Sequence, residues 1–424
     1  MKKNALLFFC LVSFAFTTLA QSEKEWIKHQ VRTLSGNKFS GRGYVNKGGE
    51  KAANYVARQF RELGLMPFTE DSSYLQSYSF SVNTFPGDMY LKINKKELVP
   101  GADFIIYEGS SGVSVENKKI RKIDLAKVKD SASWQKVKAC LSREYAYQLT
   151  GYDTLVKYLS LKRRGLAQML GPGIFILPKH GKITWSVARD TVAATIFTVE
   201  DTVLPKRLKR MSAIVQNKYF PAFTNKNAIA FVPGTEKPDS FIVFSAHMDH
   251  LGMMGRNTMF PGAHDNASGT SLMLYLAKYF AEHPAKYSIA FMAFSGEEAG
   301  LMGSKHYTQH AVFPLSQIAM VVNLDMTGDA TEGITVVNGQ EQKEAFTKLE
   351  AINNQRAYVP KMNQREQTSN SDHFSFSEKG VPAIFIFGLG AKGYYHDIFD
   401  KANELSFNNI DHLAHLLIDF VNKN

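Results

Sequence analysis

The stretch FIVFSAHMDHLG, residues 241–252, starts as an unbroken apolar run and ends in His247-Met248-Asp249-His250. A continuous apolar run, rather than an alternating one, marks a strand covered on both faces, which is the habit of parallel sheets. The same texture, which here covers Ser240–Ala246, recurs at Ala228–Val232, Ser288–Phe294, Ile318–Asn323 and Ala383–Phe387. Longer amphipathic stretches alternate with these runs at Ser268–Phe280, Glu341–Asn353 and Ile410–Val421. This alternation predicts an α/β fold, a mixed and mostly parallel sheet with helices on both faces. Ligands of such sheets sit beyond the carboxyl ends of the strands. The ionisable residues of this chain cluster at those ends.

Upstream, the reading divides the chain into four segments. In residues 1–20, Lys2 and Lys3 precede an apolar stretch from Ala5 to Phe16, and Thr18-Leu19-Ala20 supplies a small-x-small cleavage site. That is the pattern of a signal peptide removed near Ala20/Gln21, so the expected product is exported, periplasmic or extracellular, with no membrane span in the mature chain. Residues 21–78 read as the N-terminal part of a catalytic domain: a helix over Lys24–Leu34, a break at Ser40-Gly41-Arg42-Gly43, and a second helix over Gly49–Leu63 capped by Gly64. Residues 79–220 mix short β-like runs (Asp103–Tyr107, Gly173–Leu177, Ala193–Val199) with a Lys-rich helical stretch over Tyr152–Arg164, and read as an inserted, β-rich α+β domain. Residues 221–424 return to the α/β pattern.

Composition excludes several classes. With 44% hydrophobic and 21% charged residues the 424-residue chain is neither fibrous nor disordered. Its net charge of +11 is spread along the sequence without an arginine-rich stripe, so no nucleic-acid partner is expected. Cys10 falls inside the signal, leaving Cys140 as the one thiol of the mature chain. Neither an intrachain disulfide nor a thiolate zinc cluster is then available.

The chemistry lies in five segment ends. His247 and Asp249, two apart, project to one side if the chain stays extended. Asp265 sits among small residues just before a helix, Glu297-Glu298 follows the strand ending at Phe294, Asp325 follows Asn323, and His396 comes after the last strand. Singly these have ordinary explanations, as a helix cap, a solvated first turn or a hydrogen-bonded histidine. Together, nitrogen and carboxylate donors without sulfur suit zinc, and two His with three or more carboxylates are what two ions sharing a bridging carboxylate require.

The order and spacing resemble the di-zinc aminopeptidases of metallopeptidase family twenty-eight, which includes aminopeptidases S and Y, glutamate carboxypeptidase and the glutaminyl cyclases. The resemblance rests on residues 233–252, PGAHDNASG (261–269), FSGEEAGLMGS (294–304), NLDMTGD (323–329), SDHFSF (371–376), GVPAIF (380–385) and His396, with SGRG (40–43) further upstream. It implies a zinc exopeptidase fold and two zinc ions per chain. His247, Asp265 and Asp325 would hold one ion, and Asp265, Glu298 and His396 the other. Glu297 would be the general base that activates the attacking water, and Asp249 would orient His247. The implied activity is hydrolysis of the N-terminal bond of peptides with a free N-terminus. The inserted domain occupies the place of a protease-associated domain, which Gly171–Leu177 faintly resembles. The chain departs from the family in carrying Asp397 directly after the last His.

With both ligand sets filled, His250 and His264 read as loop residues and His373 as a structural contact. Two other functions stay open on this reading: a glutaminyl-peptide cyclotransferase of the same fold, and a non-catalytic binding ectodomain. The sequence is silent on oligomeric state.

Overall fold

The computed structural model describes residues 22–68, 73–152, 155 and 163–423. The N-terminal signal pattern and most of the Lys-rich stretch at 152–164 lie outside the described residues.

The main sheet has eight strands: β1 (Leu75–Thr84), β2 (Lys218–Val232), β3 (Lys237–His247), β4 (Tyr287–Phe294), β5 (Ile318–Leu324), β6 (Gly333–Val337), β7 (Met362–Gln364) and β8 (Ala383–Leu389). Their spatial order is β1-β2-β4-β3-β5-β8-β6-β7. The centre is parallel, with β3 between β4 and β5 and β8 beside β5. Antiparallel partners flank it, β1 and β2 on one side and β6 on the other, with β7 parallel to β6. The sheet is therefore mixed, as the sequence pattern predicts.

Alternation along β3 explains its unbroken apolar run. Ile242, Phe244 and Ala246 face one core, Phe241 and Val243 the other. Helices Glu23–Leu34, Gly48–Glu62, Gly269–Glu282, Lys343–Arg356 and Ile410–Asn422 contribute their apolar faces to the first core. Helices Met302–Gln309 and His373–Ser377 cover the second through Tyr307 and Phe376. At the end of Gly48–Glu62 the chain reverses through Gly64, whose φ of +76° is cheap only for glycine, while Leu65 N–H returns to the Phe60 carbonyl at 3.0 Å.

The chain leaves and re-enters the main sheet along the β1/β2 ribbon, paired from Leu75↔Ala228 to Thr84↔Lys218. Between these strands lies a second eight-stranded sheet, built from segments within residues 89–215. One face is covered by Trp134, Leu166 and Leu170 from its own helices. The other face, with Ile93, Phe104, Ile176 and Phe197, packs with Leu251, Met254 and Phe260 from the loops that follow β3. The inserted unit thus shares a hydrophobic core with the carboxyl ends of the main sheet. Among the described residues no helix is long and apolar enough to cross a membrane.

Phe244 is fully buried, with ring centroids 6.2 Å from Phe280 and 6.0 Å from Phe291. Phe244→Ala should destabilise the protein by about 3–5 kcal/mol through lost burial and the cavity left behind. A shift of the denaturant midpoint corresponding to less than 1 kcal/mol would show that this face is not the main core.

Candidate metal centre

All five sequence-predicted ligands converge at the carboxyl ends of the parallel strands. His247 closes β3, Asp325 follows β5, Glu297 and Glu298 follow β4, and His396 lies in the loop after β8. Asp265 comes from the loop that opens helix Gly269–Glu282, and its peptide bond to Asn266 is cis. His247 Nε2 lies 3.2 Å from Asp325 Oδ1 and 3.3 Å from Asp265 Oδ1. His396 Nε2 lies 3.3 Å from Asp265 Oδ2 and 3.1 Å from Glu298 Oε2. Asp265 therefore turns one oxygen to each imidazole and stands between two half-sites.

These spacings fit zinc. Donors about 2.0–2.1 Å from a tetrahedral ion lie about 3.3 Å from one another, close to the imidazole-to-carboxylate distances of both half-sites. The donors are imidazole nitrogen and carboxylate oxygen, the set that suits zinc in hydrolytic sites.

His250 is the residue that sequence spacing left among the loops. It is fully buried, and its Nδ1 lies 2.7 Å from Glu298 Oε1 and 3.9 Å from Asp265 Oδ2. With Asp265 and Glu298 it forms a second group able to hold an ion, beside the group of His247, Asp265 and Asp325. The strand ends at His247, so the two-residue alternation says nothing about where His250 points. His264 is buried, and the site uses its main chain, whose N–H donates to Asp400 Oδ1 at 2.8 Å. His373 is buried against Phe385, ring centroids 5.4 Å apart, and burial lowers its pKa to about 4, so it stays neutral.

Polar contacts set the ligand orientations. Asp325 Oδ2 accepts from Ser371 Oγ at 2.8 Å, Ser371 accepts from Asn323 Nδ2 at 2.8 Å, and Asn323 Oδ1 accepts from Ser245 Oγ at 2.8 Å. Asp400 receives the Asp265 N–H at 3.0 Å as well as that of His264. The Asp249 carboxylate is 3.8 Å from His247 Nδ1, too far for a hydrogen bond; Nδ1 is instead 3.2 Å from the Asp249 carbonyl. Asp249 Oδ1 accepts the Glu297 N–H at 3.3 Å, so this carboxylate also positions the Glu-Glu turn.

Beneath the ligand loops lies Arg42, fully buried. Its Nε donates to the Met248 carbonyl at 2.9 Å, Nη1 to Leu34 and Pro261, and Nη2 to Gly262 and Asp265. A Cβ on Gly41 would meet the carbonyl oxygens of Phe260 and Gly252 at 2.4 and 2.6 Å, so only glycine lets this segment approach so closely. In the sequence the SGRG segment is a break between helices and part of the family resemblance, but Arg42 carries no assigned role, because partners more than 200 positions away leave no local trace.

Electrostatics separates neighbouring groups. For Glu298, burial opposes ionisation, but His396 and the hydrogen bonds of His250 and His396 prevail and hold it down at about 2. For Glu297, burial together with Glu298, Asp372 and Asp325 outweighs His247 and raises it well above 4.5. Burial also lowers His396, yet Glu298 and Asp265 raise it to about 11.

A parallel-centred α/β sheet carrying paired nitrogen-and-carboxylate half-sites at its strand ends is an architecture able to hold metal ions. More particularly, residues 227–421 match the family model described as Peptidase family M28, and this part of the chain is a domain of that family. Aminopeptidase YwaD of Bacillus subtilis is 30% identical over 213 residues, covering 47% of this chain and 44% of that one. A probable leucine aminopeptidase of Arthroderma otae is 29% identical over 223 residues, covering 48% and 58%. The chain thus spans about half the length of the curated relatives it matches. The structure of BSAP, a zinc aminopeptidase from Bacillus subtilis, superimposes with a TM-score of 0.68 at 19% identity, covering 94% of both chains. That likeness is one of fold and extends across the inserted unit.

One test concerns Asp249, whose pKa burial raises to about 7, helped by Glu298 and Asp372 and opposed by His247. A carboxyl raised on folding binds more protons in the native state, so its stabilising contribution is full below about pH 4 and lost as pH rises through about 7. Zinc-free wild-type protein should lose thermal stability between about pH 5 and about pH 7, and Asp249→Asn should flatten that decline. An equal slope in both proteins would show that Asp249 is not the titrating group.

Proposed function

We propose that this chain is a two-zinc aminopeptidase that hydrolyses the N-terminal bond of peptides with a free N-terminus. The observation that carries the reading is Asp265, whose two oxygens each face a different imidazole at about equal distance. The relatives described above, aminopeptidase YwaD and a zinc aminopeptidase of Bacillus subtilis, support it.

His247, Asp265 and Asp325 would hold one ion, and Asp265, Glu298 and His396 the other, with His250 beside Glu298. Bound zinc supplies Lewis-acid polarisation of the scissile carbonyl and lowers the pKa of water. Glu297, next in the chain to a ligand but raised well above the usual carboxylate range, accepts the proton of the attacking water. It then delivers that proton to the leaving amine nitrogen. Asp249 holds the Glu297 main chain through its 3.3 Å contact and so orders the turn that carries the base. Ser371 and Asn323 keep Asp325 in place while charge shifts in the reaction. We also propose export, with the mature chain starting near Gln21 in the periplasm or outside the cell; the Lys2-Lys3 and apolar pattern of residues 1–20 supports this.

Glu297→Gln should lower kcat by about 10²–10⁴-fold with two zinc ions still bound, because the amide keeps the shape but cannot take a proton. Glu298→Gln should lose zinc together with activity. Metal analysis and turnover of both variants decide the assignment. One ion or none per wild-type chain at saturating zinc would overturn the paired-metal reading, and near-normal turnover of Glu297→Gln would overturn the base.

For export, N-terminal sequencing of protein recovered outside the cytoplasm should start near Gln21. A secreted form retaining Lys2 and Lys3 would contradict cleavage.

A further inference from the structure

His396 has a left-handed backbone, φ +59°, in a loop whose neighbours do not form regular structure. A non-glycine residue keeps that conformation only where surrounding contacts over-determine it. The contacts come from the inserted unit. Its crossover between strands Gly173–Lys179 and Ala194–Glu200 runs over the site as a strap. The Trp185 N–H donates to the His396 carbonyl at 3.0 Å, and His396 Nδ1 lies 2.9 Å from the Trp185 carbonyl. The second contact makes Nδ1 the protonated nitrogen and leaves the Nε2 lone pair for the half-site of Asp265 and Glu298.

The strap is anchored on both sides of Trp185. The indole Nε1 donates to the Ile106 carbonyl at 3.0 Å, and the ring packs against Phe260 with centroids 4.8 Å apart. Downstream, Ala188 accepts the Asn83 N–H at 2.9 Å and Arg189 accepts from Ser81 Oγ at 2.6 Å, fixing the strap to β1. Upstream, Lys182 Nζ reaches Asp397 Oδ2 at 3.0 Å, the Tyr395 carbonyl at 2.7 Å and the Gly393 carbonyl. Its three ammonium donors are used on one turn, the turn that carries His396. Asp397, which sets this chain apart from the family pattern, is the anionic partner of that lysine and is 6% exposed.

We propose that Lys182 and the Trp185 main chain are positioning residues supplied by the inserted unit, and that without them the half-site of His396 loses its zinc affinity. This rests on the two-zinc reading above. The inserted unit then does more than cover the site: it completes one of the two metal positions, and the ligand it holds is the one farthest along the chain from the others.

The experiment is stepwise zinc titration against a competing chelator, on wild type, Lys182→Met and His396→Gln. Lys182→Met should weaken one ion by about tenfold or more while the other binds as in wild type, the loss falling on the ion that His396→Gln also loses. Its kcat should fall at limiting zinc and recover at saturating zinc, which damage to the fold would not do. Asp397→Asn removes the anion from the other end of the same contact and should behave alike; it carries the test if Lys182→Met fails to fold. In the double variant the losses should not add, since both changes break one contact. Two ions bound with wild-type affinity in Lys182→Met or Asp397→Asn would overturn the proposal alone. A wild type that takes up a single ion would overturn the two-zinc reading and the proposal with it.

Discussion

A single guanidinium ties the site to the rest of the molecule. Arg42 has five donors in a rigid plane, and all its hydrogen bonds here go to main-chain oxygens at Leu34, Met248, Pro261, Gly262 and Asp265. Those carbonyls belong to the end of the first helix, the turn after His247 and the loop that presents Asp265. Burial lowers the Arg42 pKa to about 10, while Asp400, Asp265, Asp249 and Glu298 act to raise it again. The dependence is mutual. An unpaired buried cation would cost several kcal/mol, and so would the clustered carboxylates above it. Each makes the other tolerable, and the geometry of the fork fixes where the loops must lie. A lysine, with a point charge and three donors, could not hold the same set of oxygens.

Clustered carboxylates also explain why two adjacent glutamates differ so strongly. Glu298 faces His396 and His250 and is held ionised; Glu297 faces other anions and is pushed toward its neutral form. Neighbouring acids whose surroundings drive their pKa values apart allow one turn to supply both a ligand and a base, the roles proposed for Glu298 and Glu297. The turn itself is ordered by Asp249, which accepts the Glu297 N–H. A change at Asp249 would therefore disturb the base as much as His247.

What could be read from the sequence follows from the range of the interactions. The central strands and the long helices around them are set by local hydrophobic pattern, and their predicted spans differ from the observed ones by a few residues at the ends. Strands β6 and β7 were not legible: GITVV is short, and Met362–Gln364 is a three-residue edge without an apolar run. Ligands at strand ends were legible because the end of an apolar run is itself a local signal. His250 was not, since it lies past the end of β3 where alternation stops. Arg42, Trp185 and Lys182 were beyond reach for a different reason: their partners are about 200 positions away, and only the folded chain brings them together.

Three non-glycine residues with left-handed backbones lie at the centre: Arg42 at φ 52°, Met326 at φ 55° and His396 at φ 59°. Each such residue costs on the order of 1–3 kcal/mol, which tertiary contacts must offset. For Arg42 the offset is its own guanidinium, seated on the loop carbonyls. For Met326, next to Asp325, it is the N–H that donates to Asn266 Oδ1 at 3.1 Å, in the loop that presents Asp265. For His396 it is the strap of the inserted unit. The three lie in different segments of the chain, and in each the strain is offset by a part of the site remote in sequence. A ligand shell held in this way is assembled only when all of its segments are docked. Of the two half-sites, the one around His247 and Asp325 lies at the ends of two strands of the main sheet, whereas the one around His396 is also contacted by the inserted unit.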